Sequence, residues 1–119
     1  MFYGYPFEVY VAAYFHVAME HKSKDDAEDE ALMATDKIFD DNSDVTVVES
    51  EVTKIERHKY FDIAEVKMVL LIEVTVFEYD EAWGDAEIMV RETDLPVGVS
   101  LYDCEAYNYL RHKERVVEA

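Results

Sequence analysis

The sequence is poor in cysteine, glycine, proline and positive charge. Its 119 residues include one cysteine, three glycines and two prolines. A single cysteine, Cys104, cannot form an intramolecular disulfide, so we expect a reducing compartment, the cytoplasm. The scarcity of glycine and proline favours long regular elements joined by short connections.

Long hydrophobic runs are also missing. The longest apolar stretch, residues 68–72, is far shorter than the roughly 20 residues that cross a bilayer as a helix. The first ten residues lack a basic segment followed by an apolar one, so we do not expect a signal peptide.

Acidic residues far outnumber basic ones. The chain has 11 Lys and Arg against 28 Asp and Glu, and its formal net charge is −17. Half of the residues are nevertheless hydrophobic, which predicts a folded chain, and the length suits a single domain, residues 1–119. Three explanations of the acidity stay open: solubility, a salty cytoplasm, or a surface that meets a basic partner. Because this charge repels phosphates and anionic lipids, we expect neither nucleic acid nor a membrane as a direct partner.

Alternating apolar and polar residues predict four strands. The period of two is clearest from Phe7 onwards and again around Met68, where one row is apolar throughout. The second strand has a blurred alternation that indicates a bulge. The predicted strands cover residues 7–20, 45–58, 61–79 and 97–110.

Two segments between these strands have helical spacing. Ser23 is a suitable N-cap for the first helix, whose apolar stripe includes Ala27 and Ala31. Residues 80–93 fit a hairpin or a helix, and a helix is favoured by their apolar stripe despite Gly84. After the last strand, residues 111–119 are expected to form a charged tail or a short helix.

The triplet Arg-His-Lys occurs twice, at residues 57–59 and 111–113, an offset of 111 − 57 = 54. When the two triplets are aligned, Val45 also matches Val99. The residues between each valine and its triplet have a similar pattern of residue types in the two segments. The triplets either grip an anion together or, as we favour, neutralise neighbouring carboxylates at strand ends. The alignment indicates a duplicated unit, with repeats at 7–59 and 61–113 and a tail at 114–119.

Two strand–helix–strand units commonly interlock in the order βαββαβ. The pattern resembles the ferredoxin-like fold. This resemblance implies an α+β domain with a four-stranded antiparallel sheet and both helices on one face. That fold hosts many unrelated functions, so it implies none by itself.

No catalytic or cofactor-binding constellation stands out. Cys104 has acidic neighbours that would raise the pKa of its thiol, so a strand cysteine without a special role is favoured over a nucleophile. The four histidines have no metal-ligand spacing, and no glycine-rich phosphate loop is present. We therefore predict no enzyme, no cofactor and no metal site.

Acidic side chains are concentrated in the two helical segments and the turn after the first. Carboxylates three or four apart on a helix are about 5–6 Å from each other. This resembles the spacing of phosphates along a nucleic-acid strand, roughly 6–7 Å, so such a surface can occupy a nucleic-acid groove. A solvated helix face is the competing interpretation. The predicted partner-binding residues are Asp25, Asp26, Asp29, Asp36, Asp40, Asp41 and Asp44, with a second group at Asp80, Glu81, Asp85 and Glu87.

Size, acidity and tyrosine-rich strands together resemble small phage-encoded inhibitors of host defence, the anti-CRISPR and anti-restriction proteins. Several of those viral proteins are nucleic-acid mimics. The resemblance implies an inhibitor that binds a basic nucleic-acid-handling protein, a CRISPR effector or restriction nuclease, in the host cytoplasm. The resemblance to these inhibitors is one of composition and does not include a shared sequence motif.

A homodimer without catalysis is the alternative hypothesis. Ferredoxin-like sheets often pair through the face that the helices leave uncovered, and here that face would be apolar and aromatic. A small enzyme is a third hypothesis and would need a pocket with converging polar groups. The predicted oligomer face consists of Tyr10, Tyr14, Leu71, Tyr107 and Tyr109.

Overall fold

The computed structural model describes residues 3–111 and 117–118. It confirms an α+β fold with a four-stranded antiparallel sheet and two helices. The segment predicted as either a hairpin or a helix is a helix. The elements in chain order are β1 (Tyr3–Met19), α1 (Lys24–Asp36), β2 (Val45–Arg57), β3 (Asp62–Val76), α2 (Tyr79–Arg91), β4 (Val99–Arg111) and β5 (Val117–Glu118).

Two predictions at the chain ends need correction. The first strand begins at Tyr3, earlier than the predicted start at Phe7, because Tyr5 continues the ladder opposite Val76. The tail was predicted to be irregular or helical, but β5 pairs with the beginning of β1. Residues 112–116 and 119, which include His112 and Lys113 of the second triplet, lie outside the described residues.

The main sheet has the strand order β2-β3-β1-β4, and every neighbouring pair is antiparallel. The two longest strands, β1 and β3, lie in the centre, with the register Val11 opposite Leu70 and Phe15 opposite Val66. β2 and β4 form the two edges. Because the central strands alternate strictly, one face of the sheet is apolar except at the first residue of β3, Asp62.

Both helices contribute to one hydrophobic core on that apolar face. Ala27 and Ala31 of α1 and Ala82 and Ala86 of α2 are fully buried in it. Their small side chains let each helix backbone approach the sheet closely, while larger strand residues such as Phe15 fill the space. Ser23 caps α1 as predicted, since its hydroxyl accepts the Asp26 amide at 3.3 Å.

The outer strands carry bulges at equivalent positions. β2 skips Val48 and Thr53 in its register with β3, and β4 skips Tyr102 and Tyr107 in its register with β1. The offsets are 102 − 48 = 54 and 107 − 53 = 54. The same offset aligns the two sequence triplets, so the irregularities of the edge strands coincide with the aligned repeat.

Candidate functional site

The first predicted acidic group lies on the outer side of α1 and in the turn that follows. Each of these carboxylates is exposed to solvent, because the buried side of α1 is formed by Ala27, Ala31 and Thr35. The exposed group consists of Asp25, Asp26, Asp29, Asp36, Asp40, Asp41 and Asp44.

The second predicted group lies on α2, and its members differ in role. Asp80 and Asp85 are exposed, and Glu87 is half-buried. Glu81 is exposed but also has a structural role, because its Oε2 accepts the amides of Phe77 at 3.1 Å and Glu78 at 3.4 Å. This capping box fixes the beginning of α2, so Glu81 is less available to a partner than Asp80.

One groove brings the two acidic groups together. Asp44 from the first group and Asp85 from the second line a cleft of about 460 Å³, together with Glu73 and Glu92. Asp26 and Asp29 line a separate groove along α1. The structure therefore joins the two groups at one place and does not gather all their members into a single site.

Three of the described cations form ion pairs with carboxylates outside the two predicted groups. Lys22 pairs with Glu30, Lys54 with Glu56, and Arg57 with a buried carboxylate at the start of β3. Among the described residues, none of the predicted partner-binding acids has a cationic group within 4.0 Å. These acids therefore lack a described ion-pair partner, and Lys22 is a cation that the structure places beside two of them, because it lines the α1 groove with Asp26 and Asp29.

A buried charge cluster at the start of β3 was not predicted from the sequence. Asp62 has 0% of its surface exposed and lies on the core side of the sheet. Its Oδ1 is 2.7 Å from His21 Nδ1, and its Oδ2 is 3.6 Å from Arg57 Nη1. Arg57 Nη2 also donates to the Lys22 carbonyl at 2.8 Å. The sequence contains one signal that could have located this cluster: Asp62 is an acid in the otherwise apolar row of an alternating strand.

Both ring nitrogens of His21 face oxygen acceptors. Nε2 donates to the Lys59 carbonyl at 3.0 Å, and Nδ1 is 2.7 Å from the carboxylate of Asp62, an arrangement that favours the doubly protonated ring. The Lys59 carbonyl and the carboxylate raise the pKa of His21 above its ordinary value. Burial acts to raise the pKa of Asp62, but His21 and Arg57 outweigh it and lower that pKa. Both ring nitrogens of His21 are engaged by these contacts, so we interpret the pair as a structural clamp between the end of β1 and the start of β3.

The first triplet takes the structural role that we favoured. Arg57 neutralises a carboxylate at a strand end, and Lys59 offers its carbonyl to His21. The ring of His58 stacks on Phe61 with centroids 4.8 Å apart. Of the second triplet, Arg111 ends β4, and the other two residues lie outside the described part of the chain.

The face of the sheet opposite the helices, which we call the open face, is aromatic along β1 and β4. Tyr10 contacts Tyr107 and Tyr14 contacts Tyr102, with ring centroids 6.0 Å apart in both pairs. Leu71 lies beside Tyr10 in the register of β3 with β1 and is half-buried. Four of the five predicted oligomer-face residues therefore lie on the open face.

Tyr109 is the exception, and its predicted position is wrong. Its ring packs against Phe7 at 5.8 Å and Trp83 of α2 at 6.1 Å, on the helix-covered side. The reason is the bulge at Tyr107, which places two successive residues on the open face and reverses the alternation beyond it.

Cys104 is buried in the core beneath α2. Burial raises the pKa of its thiol, and the thiol lies 3.9 Å from the Glu87 carbonyl. A thiol of this kind is a poor nucleophile at neutral pH.

Within the described residues, no three His, Cys, Asp or Glu side chains are gathered closely enough to hold a metal ion. None of the helices described is both long enough and apolar enough to span a bilayer. Comparisons of the chain with protein-family models, curated proteins and solved structures found no match.

Proposed function

We propose that this protein is an inhibitor-type interaction protein. Its acidic helix side binds a basic protein that handles nucleic acid, a CRISPR effector or a restriction nuclease, and blocks the entry of DNA or RNA. The observation that carries the proposal is the set of exposed acids on α1, α2 and the turn after α1, which have no described cation within 4.0 Å. The setting is the cytoplasm of a host cell, and the proposal includes no catalytic step.

Shape and charge spacing support occlusion of a nucleic-acid site. The Cα trace extends 55 × 21 × 19 Å, and its length equals about 16 steps of a duplex that rises about 3.4 Å per base pair. Asp25 and Asp29 are one helical turn apart, at about the 5–6 Å that separates such pairs. A narrow acidic body of this kind suits a positively charged channel.

The driving force follows from the charge. The cationic side chains of an empty nucleic-acid channel attract anions from solution, and a protein of net charge −17 displaces them on binding. Release of these ions favours association at low salt. Steric exclusion of the nucleic acid then follows, because both ligands need the same cationic surface.

We further propose that the fold is ferredoxin-like. Support comes from the βαββαβ order of the long elements and from the sheet order, in which the strand after each helix lies at an edge. Matching bulges in β2 and β4 support a duplicated origin.

Affinity capture tests the proposal. The protein is immobilised and exposed to lysate of the cell type that encodes or hosts it, at about 50 mM and about 200 mM salt, a range over which nucleic-acid-like contacts weaken steeply. We expect a nucleic-acid-handling protein to be captured at low salt, released at high salt, and eluted by duplex DNA or by RNA. Captured proteins that neither bind nucleic acid nor elute with it would contradict the proposal.

A homodimer is the second candidate, favoured by the half-buried aromatic row on the open face. Light scattering distinguishes the two candidates in the absence of a partner. We expect a monomer, because two copies of charge −17 repel each other at close range.

A further inference from the structure

The β1–β4 half of the open face combines exposed aromatic rings with unneutralised carboxylates. Tyr102 is 54% exposed and Tyr107 is 50% exposed, although both touch rings on β1. Each of the two tyrosines is the extra residue of a β-bulge in β4. The bulge directs its side chain outward, which a regular strand would not do at that position. Several exposed rings on one face of a sheet mark a candidate binding surface.

Carboxylates lie between these rings. Asp103 is opposite Tyr14 and Glu105 is opposite Ala12 in the register of β4 with β1. Both acids are exposed, and among the described side chains neither has a cation within 4.0 Å. One side of the Tyr102 ring is stacked on His16, with centroids 4.5 Å apart, while the residue remains 54% exposed. The surface thus combines exposed aromatic rings with negative charge, which is the chemistry that a guanidinium group prefers.

We propose that this surface is a docking site for arginine side chains of the basic partner. It consists of Tyr10, Tyr14, Tyr102, Asp103, Glu105 and Tyr107. Arginine is favoured over lysine because its planar group stacks on a tyrosine ring and forms paired hydrogen bonds with a carboxylate.

The docking site rests on the proposed function only in requiring a basic partner, and it adds a second contact surface opposite the acidic helix side. A channel that encloses a body 19–21 Å wide has walls on both sides of it. The helix side would meet one wall through charge alone, and the open face would meet the other through stacking and charge.

A second copy of the chain fits this surface poorly. Face-to-face pairing of this surface would bury the exposed Asp103 and Glu105 of both copies without a described cation to pair with them. Like charges at close range oppose association, and each copy carries a net charge of −17. Charge complementarity therefore selects a basic partner.

The test uses two capped pentapeptides of equal charge, one with two arginines and one with two lysines, titrated into the ¹⁵N-labelled full chain. We expect chemical-shift changes centred on residues 10–14 and 102–107, and about fivefold tighter binding of the arginine peptide. The double variant Tyr102→Ser, Tyr107→Ser should lose that preference. Tyr60→Ser, which changes an exposed tyrosine of the β2–β3 turn, is the matched control and should keep it.

A second variant removes charge and retains shape. Asp103→Asn with Glu105→Gln should weaken both peptides and leave the arginine preference in place, because the rings remain. Shift changes confined to the helices, or equal binding of the two peptides, would overturn the docking site and leave the acidic helix side untouched. Open-face shifts that depend on protein concentration without peptide would assign the surface to a second copy and also overturn it. The proposed function fails separately, if lysate capture yields no nucleic-acid-handling protein.

Discussion

Reversing three charges on the helix side should weaken partner binding without weakening the fold. The variant Asp29→Lys, Asp36→Lys, Asp40→Lys changes the formal net charge from −17 to −17 + 6 = −11. All three side chains are exposed and lack a described ion-pair partner, so no native contact is lost. α1 has no basic residue in its last turn, and a lysine in place of Asp36 there would favour the helix dipole.

The expected loss of affinity follows from the exposure of these groups. An exposed ion pair contributes about 0.5 kcal/mol, and reversal replaces attraction by repulsion, which roughly doubles the change. Three reversals amount to about 3 kcal/mol, or about a hundredfold in the dissociation constant. Titration calorimetry with the captured partner measures the loss, and thermal unfolding checks the fold.

A control variant separates local contacts from total charge. Glu20→Lys, Glu49→Lys, Asp94→Lys reaches the same net charge by changing three exposed acids that belong to neither predicted acidic group. It should lose less affinity than the helix-side variant, since it leaves the predicted partner-binding acids in place. Equal losses in the two variants, or an unchanged affinity of the helix-side variant, would refute the reasoning.

Three further predictions concern the fold. The raised pKa of His21 means that its stabilisation is complete below the ordinary value of 6.5 and is lost as pH rises through the raised value. Thermal unfolding should therefore show a stability loss as pH rises above the ordinary value of 6.5, a loss that His21→Gln lacks. Phe15→Ala should cost about 3–5 kcal/mol in urea unfolding, because Phe15 is fully buried. Phe77→Ala, at a residue that is 53% exposed, should change stability by about 0.5 kcal/mol or less. Ser23→Ala should cost about 1 kcal/mol through the lost N-cap, whereas Ser43→Ala in an exposed turn should be close to neutral by the same assay.

The main elements could be predicted because their signals are local. Alternation from Phe7 onwards is maintained by a ladder in which apolar residues of β1 face apolar residues of β3. The N-cap at Ser23 depends only on the three residues that follow it. Periodicity and capping act within one element, so a single sequence contains them.

The buried cluster and the face of Tyr109 depend on contacts distant in sequence. His21 and Asp62 are 41 residues apart and meet only because β1 and β3 are antiparallel neighbours. The side on which Tyr109 lies is decided by the bulge at Tyr107, and the alternation of β4 alone does not locate that bulge. The same bulge exposes the ring of Tyr107, which belongs to the proposed docking site. The sequence therefore predicted an aromatic open face but not the full set of residues that form it.

The short strand β5 was missed for a related reason. Two residues, Val117 and Glu118, have no periodicity of their own, and their pairing with Tyr3 and Gly4 is a contact between the chain ends. Isolated pairs of residues are too short for pattern-based prediction.

Competition between this protein and nucleic acid for the captured partner tests the central claim most directly. A fluorescent duplex or RNA is bound to the partner, and the protein is added over a range of concentrations at low salt. We predict full displacement, with the apparent dissociation constant of the nucleic acid rising in proportion to the protein concentration. A ternary complex that retains the nucleic acid at saturating protein would contradict occlusion by the acidic surface.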